Sequence, residues 1–291
     1  MQGLPVGAAK AIFAEAALYK KNRRNPTQFP LKGQTWAMIF SKSSTRTRVS
    51  FEVGIRELGG ESLFLNANDI QLGRGEPIAD TARVLGRMVH GAVIRTFAQQ
   101  DVVDFANYAK IPTVNALTDD EHPCQILTDV FTYEEKRGSI VGKKVAFIGD
   151  AACNVARSWV YAAEYFKFNL VLAAPEGFES PVTNAHVKQV RSPEEAAANA
   201  DLLYTDVWIS MGKEAEAAER IKAFNGYQIN SKLLSLAHKD ALVLHCLPAY
   251  RGKEITEEIM TSRAEDIFDQ AENRLHVQKG ILHWLAHDKN A

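Results

Sequence analysis

From position 41 to 48 the chain reads Ser, Lys, Ser, Ser, Thr, Arg, Thr, Arg, directly after an apolar run at 36–40 and directly before a helical pattern at 46–58. The hydroxyls of this run, its two arginines, Arg46 and Arg48, and the free amides of a helix start converge there. That combination suits a dianion: the helix end carries partial positive charge, an arginine offers a bidentate fork, and hydroxyls add donors. Helix capping by Ser44 or Thr45 beside solvated arginines is the plainer reading of the hydroxyls alone. The whole run, placed after a strand, favours anion binding. Two further polar groups stand at strand ends: Arg95, and His122 with Gln125 at helical i, i+3 spacing, a pair able to donate to and accept from an amide-like group. No P-loop signature occurs, and residues 147–154 lack the glycine spacing of a dinucleotide site, which argues against a nucleotide and against a dinucleotide-dependent oxidoreductase.

Elements that hold these groups follow from the pattern of the chain. Apolar runs at 36–40, 62–65, 91–95 and 113–117 predict strands, separated by helical stretches at 46–58, 77–89 and 101–109. A helix is expected over 123–136, after which the alternation restarts: strands at 144–148, 170–174, 202–207 and 241–244, with helices at 155–166 and from the capping-box sequence at Ser192. The predicted fold class is α/β, with two lobes, each a parallel sheet flanked by helices, joined by an inter-lobe helix and by an amphipathic helix at 271–284. The expected domains are 1–133, 134–270 and a C-terminal helix at 271–291 packing back on the first. Ligands of such sheets bind outside the carboxyl ends of strands, in the expected cleft between the lobes.

The 291 residues are 46% hydrophobic and 24% charged with a formal net charge of -1, so no broad basic field draws nucleic acid or an anionic membrane. Cys124, Cys153 and Cys246 are few, odd in number and scattered, suggesting neither a disulfide framework nor a zinc site. The first 18 residues lack the order of a secretory leader, and no apolar run reaches the roughly 20 residues that span a bilayer. A cytoplasmic protein without metal, cofactor, nucleic-acid or membrane partner is the expectation.

Taken together, the run from Phe40 to Arg48 resembles the carbamoyl-phosphate motif of the aspartate and ornithine carbamoyltransferase family, and the residues His122, Pro123, Cys124 and Gln125 resemble its HPxQ motif. The stretches at 68–75, 206–212, 245–248 and 272–274 are similar to the ornithine branch, and the motifs come in the expected order over nearly the whole chain. The resemblance implies transfer of a carbamoyl group from carbamoyl phosphate to the side-chain amine of ornithine, giving citrulline and phosphate. It implies that Ser44, Thr45, Arg46 and Thr47 hold the phosphate, that Arg95 bridges phosphate and carbonyl oxygen, and that His122 donates to that oxygen. Gln125 and the Leu247 carbonyl would hold the carbamoyl NH2, with Arg274 near the carbonyl or phosphate oxygens. Gln71 matches a residue lent to a neighbouring subunit, which implies a homotrimer or a multiple of trimers. Asn154 would face the α-carboxylate of ornithine, Asp206 with Ser210 and the Met211 backbone its α-ammonium, and Cys246 the reacting amine.

The pattern also weighs the alternatives. The aspartate branch reads His-Pro-Leu-Pro where this chain has His245, Cys246, Leu247 and Pro248. Asp206 with Ser210, Met211 and Gly212 suits a free α-amino group rather than an acylated one, and putrescine lacks the carboxylate that Asn154 would serve. A binding protein that keeps the fold without catalysis is disfavoured because every candidate catalytic position holds a suitable residue. Ala151, Ala152 and Cys153 depart from the more polar residues common before the Asn, and the segment ahead of the first motif is short.

Overall fold

The computed structural model describes all residues except 68–69, 71–74, 211 and 288–291. The chain divides into two compact units, one made of residues 2–127 with 273–291, the other of 128–272. Each is built on a parallel sheet, and among the described residues no helix is long and apolar enough to cross a membrane.

In the first unit β1 (Thr35–Phe40), β2 (Glu61–Asn66), β3 (Gly91–Arg95) and β4 (Thr113–Leu117) lie in the order β2-β1-β3-β4. β1 and β3 are buried almost throughout, as expected for parallel strands covered on both faces. Ala37, Ile39, Ala92 and Ile94 pack with Ala82 of α3 (Ile78–Leu85) and with Val102 and Phe105 of α4 (Gln99–Ala109). Trp36 is fully buried against Gly91, where a Cβ would lie 2.6 Å from the indole ring. The unit also contains α1 (Ala8–Lys21), α2 (Arg46–Glu57), the start of α5 (Pro123–Arg137) and most of α11 (Ala264–His287). α1 and α11 touch at Gly280, where a Cβ would stand 2.4 Å from the Ile12 carbonyl oxygen, so only glycine permits that approach.

The second unit carries β5 (Lys144–Ile148), β6 (Asn169–Ala173), β7 (Val187–Val190), β8 (Leu202–Thr205) and β9 (Leu242–His245) in the order β7-β6-β5-β8-β9. α6 (Asn154–Phe166), α7 (Pro193–Ala197), α8 (Ala217–Ala223), α9 (Ser231–Leu236) and α10 (Glu257–Ser262) accompany it. Ser192 caps α7 by accepting from the Glu195 N–H at 3.1 Å, as its spacing predicts. The end of α5 is pinned to the start of α11 by Lys136, 2.7 Å from Asp269 and 3.4 Å from Asp266.

Several elements differ from their sequence-based expectation. The helix expected over 77–89 stops at Leu85, where Gly86 weakens further helix. The strand expected over 202–207 ends at Thr205, because the Asp206 carboxylate accepts from its own neighbour, Val207 N–H, at 2.7 Å and turns the chain out of the ladder. The terminal helix starts at Ala264 rather than 271, with Glu265 and Asp266 suiting its N-terminal dipole. β7 was not expected; it is a polar edge strand whose Lys188 and Gln189 face solvent.

Candidate active site

The first group of predicted site residues meets at strand ends of the first unit. β1 and β3 pair with Phe40 beside Arg95, and the Ser41 N–H donates to the Arg95 carbonyl at 2.8 Å, so the loop that opens α2 begins against Arg95. Ser44 Oγ accepts from the Thr47 N–H at 3.3 Å. Thr45 and Arg46 are exposed at the helix start, whereas Thr47 is buried and its hydroxyl accepts from Arg95 Nη1 at 3.5 Å. Arg95, His122, Gln125 and Arg274 are all buried. Arg274 Nη1 donates to Gln125 Oε1. Burial and the positive charges of Arg274 and Arg95 hold the His122 imidazole well below the usual histidine range, so it is neutral at neutral pH. A neutral ring still donates from one nitrogen. We expect no His122 titration between pH 6 and 8: its ring nitrogen shifts in an NMR titration should stay flat, and an inflection near the ordinary value of about 6.5 would contradict this placement.

Two supports of this cluster escaped the sequence reading. Lys42 forms an ion pair with Asp119 and sits 4.4 Å from the Phe97 ring centroid, while the Asp119 N–H donates to the Phe97 carbonyl at 2.8 Å. Lys42 thereby ties together the loops that follow β1, β3 and β4. On α11, the Gln278 amide turned with its oxygen toward Arg274 accepts from Nη2 at 2.8 Å and Nε at 3.2 Å, and donates to Ser50 Oγ of α2 at 2.6 Å. Gln278 is one turn from Arg274, so its spacing was visible, but its partner on α2 was not. Gln71 lies outside the described residues.

The second group of predicted site residues meets at strand ends of the second unit. β8 and β9 pair with Thr205 opposite His245, so the next residues, Asp206 and Cys246, emerge side by side. Cys246 Sγ donates to Asp206 Oδ1 at 2.9 Å. Desolvation raises the Asp206 carboxyl above its ordinary value, opposed by the hydrogen bonds from Cys246 and Val207. Desolvation, followed by the Asp206 charge, pushes the Cys246 thiol well up, so it is a neutral donor rather than a thiolate. Accordingly, alkylation of Cys246 by iodoacetamide should be slow at neutral pH and accelerate only in alkali; fast modification at pH 7 would show a thiolate there. Asn154 opens α6, one residue after Cys153, whose sulfur accepts from the Ala156 N–H at 3.4 Å. Ser210 is half-buried, and Met211 lies outside the described residues.

A buried ion pair joins the Asn154 and Asp206 segments. Asp150 accepts from the Ala152 N–H at 3.0 Å and from Arg220 Nη1 at 2.8 Å, and Arg220 also donates to the Trp208 carbonyl at 3.1 Å. The residues are 70 apart in sequence, which hid the pairing. Leu247 has φ 57, a left-handed conformation that costs a non-glycine residue about 1–2 kcal/mol. Its N–H donates to His245 Nδ1 at 2.8 Å, and Nε2 of the same ring faces Glu254 Oε1 at 3.2 Å. Ligand atoms of Asp206, His245 and Cys246 lie within 4.8 Å of one another, but both ring nitrogens of His245 are already engaged in hydrogen bonds.

Comparison with known proteins matches residues 1–135 to the carbamoyl-P binding domain and residues 141–285 to the Asp/Orn binding domain of aspartate/ornithine carbamoyltransferases. The chain belongs to this family. It is 54% identical over 275 residues to an ornithine carbamoyltransferase of Akkermansia muciniphila, covering 92% of this chain and 90% of the relative. It is 51% identical to the anabolic ornithine carbamoyltransferase of Pseudomonas aeruginosa, covering 88% of this chain and 85% of that one. The solved structure of the Pyrococcus furiosus ornithine carbamoyltransferase superposes with a TM-score of 0.87 at 44% identity, covering 94% of this chain and 91% of that chain.

Proposed function

We propose that the protein transfers the carbamoyl group of carbamoyl phosphate to the δ-amine of L-ornithine, giving L-citrulline and phosphate. The observation that carries this reading is the pairing of Asp206 with Cys246 at the ends of β8 and β9, beside a family likeness whose relatives are named for ornithine. The domain reading follows: residues 1–133 hold carbamoyl phosphate with the helix from 271 onward, and residues 134–270 hold ornithine.

In this reading Ser44, Thr45, Arg46 and Thr47 hold the phosphate, and the start of α2 adds its dipole. Arg95, His122 and Thr47 face the carbonyl oxygen, where charge builds as the tetrahedral state forms, and Arg274 adds positive charge beside it. Gln125 and the Leu247 carbonyl hold the carbamoyl NH2. Asp206, with Ser210 and the Met211 backbone, takes the α-ammonium, and Asn154 the α-carboxylate. An amine like that of lysine has a reference pKa near about 10.4, so the site must take up or create its neutral form. Cys246, a neutral thiol, sits beside that nitrogen without attacking. The δ-nitrogen adds to the carbonyl carbon, the C–O bond to phosphate breaks, and the proton lost by the amine ends on the departing phosphate; no covalent enzyme intermediate is needed.

The coarser context is proposed with it. Gln71 is donated to a neighbouring subunit, giving a homotrimer or a multiple of trimers. The protein works in the cytoplasm, in arginine biosynthesis, a direction supported by the anabolic relative of P. aeruginosa. Citrulline formation with ornithine, run beside aspartate, putrescine and N-acetylornithine, tests the reading. Turnover with ornithine alone is expected; turnover with another amine would keep the donor half and overturn the acceptor half.

A further inference from the structure

The loop after β9 carries Cys246 and Leu247, and its shape is not set by the sheet. β9 ends at His245 and the chain next enters a regular element at α10. What closes the loop is a pair of fully buried side chains at its two ends, His245 and Glu254. Leu247 N–H donates to Nδ1, so that nitrogen carries no proton, and the ring proton sits on Nε2, pointing to Glu254 Oε1 at 3.2 Å. The same carboxylate oxygen accepts from the Tyr250 N–H at 2.6 Å. The Glu254 carbonyl accepts from the Ile229 N–H at 2.9 Å, which anchors the far end of the loop to the body of the second unit. The near end is anchored by the β8–β9 ladder, where His245 stands opposite Thr205.

We propose that Glu254 is a positioning residue which, acting through the His245 ring, holds Cys246 and the left-handed Leu247 in place beside Asp206. The proposal rests on the ornithine reading, because it assigns Cys246 and the Leu247 carbonyl their duties. The geometry gives Glu254 this part: one carboxylate oxygen fixes the imidazole, the imidazole fixes the Leu247 amide, and the Leu247 amide fixes where its carbonyl points. Oxygen, not charge, is the operative feature. Glutamine at 254 retains an acceptor for both donors. Alanine leaves the His245 Nε2–H buried without an acceptor and takes the Tyr250 N–H away from its partner, a state relieved by moving the backbone.

The test compares Glu254→Gln and Glu254→Ala in the full chain, by citrulline kinetics and by peptide-resolved alkylation of Cys246. Glu254→Ala should lower kcat about 10- to 100-fold, the cost of displacing a reacting group by about 1 Å. Its KM for carbamoyl phosphate should rise by less than kcat falls, since the phosphate-binding residues belong to the other unit and only the Leu247 carbonyl contact to the carbamoyl NH2 is disturbed. Cys246 should be alkylated faster than in the wild type. Glu254→Gln should restore both readouts. Equal damage in the two variants, or an unchanged kcat in Glu254→Ala, would overturn the proposal. If Glu254→Ala does not fold, His245→Asn serves in its place: its amide oxygen keeps the Leu247 bond while the link to Glu254 is cut, and the same loss of kcat is expected, with an unchanged kcat overturning the proposal. A wild-type protein that makes no citrulline overturns the ornithine reading instead, and the alkylation rates of Cys246 then decide the clamp alone.

Discussion

Arg46→Ala should lower kcat/KM about 10²- to 10³-fold while leaving the thermal midpoint unchanged, the range seen when one preorganised donor to developing charge is removed. Arg46 is exposed at the start of α2, and among the described residues its guanidinium makes no hydrogen bond or ion pair. Truncation therefore creates no cavity and strands no partner, and exposed substitutions of this kind ordinarily change stability within about 0.5 kcal/mol. The contrast with Arg95 is instructive: Arg95 is buried at the end of β3 and bonded to Thr47, so its loss would mix folding with chemistry. Arg46→Lys should recover only part of the activity, because an ammonium supplies charge without the planar fork that grips two oxygens. Full activity in Arg46→Ala, measured by citrulline formation at saturating ornithine, would remove the phosphate from the start of α2.

Asp206→Asn should raise the KM for ornithine about 10- to 150-fold with little change for carbamoyl phosphate, matching the about 1.5–3 kcal/mol of a hydrogen bond to a charged partner. The amide oxygen still accepts from Val207 N–H and Cys246 Sγ, so the local structure stays and only the charge goes. The pH dependence carries the same sign. Desolvation keeps the proton on Asp206 up to a higher pH than an ordinary aspartate near about 3.9, so affinity for an α-ammonium is lost as pH falls through that raised value. L-norvaline, which has the amino-acid head of ornithine and lacks its δ-amine, isolates this effect when bound in the presence of carbamoyl phosphate. An acid limb in the wild type that disappears in Asp206→Asn is expected; identical limbs in both would place the α-ammonium elsewhere. Stability moves oppositely. With the folded value raised, the contribution of Asp206 is fully present below the unfolded value and declines as pH rises to the folded one.

What the sequence discloses depends on how far apart the interacting groups lie along the chain. The phosphate run is contiguous and sits at a strand-to-helix junction, so residue types and spacing alone announce anion chemistry. His122 and Gln125 share one helical turn and are legible for the same reason. Arg274 is not: it reaches Gln125 across 149 positions, and only the family resemblance pointed to it. Lys42 with Asp119, Asp150 with Arg220, and Gln278 with Ser50 are pairings that no periodicity encodes. Within the fold, buried runs such as β1 and β3 declared themselves by apolarity, whereas β7, with Lys188 and Gln189 at an edge, carries no such signal. Asp206 reads as the continuation of a strand until its carboxylate is seen capping the next amide.

The division of the chain also sets an order of events during synthesis. The second unit is one continuous stretch, residues 128–272, whereas the first needs residues 2–127 and then 273–291. On the ribosome those intervening 145 residues take about 7–30 s at about 5–20 residues per second. Through that interval Gln125 waits without Arg274, Ser50 without Gln278, and the Ile12 turn of α1 without the glycine that fits it. The half of the molecule that is translated first is thus the last to be finished, and its arginine arrives only when the partner unit is already complete as a chain.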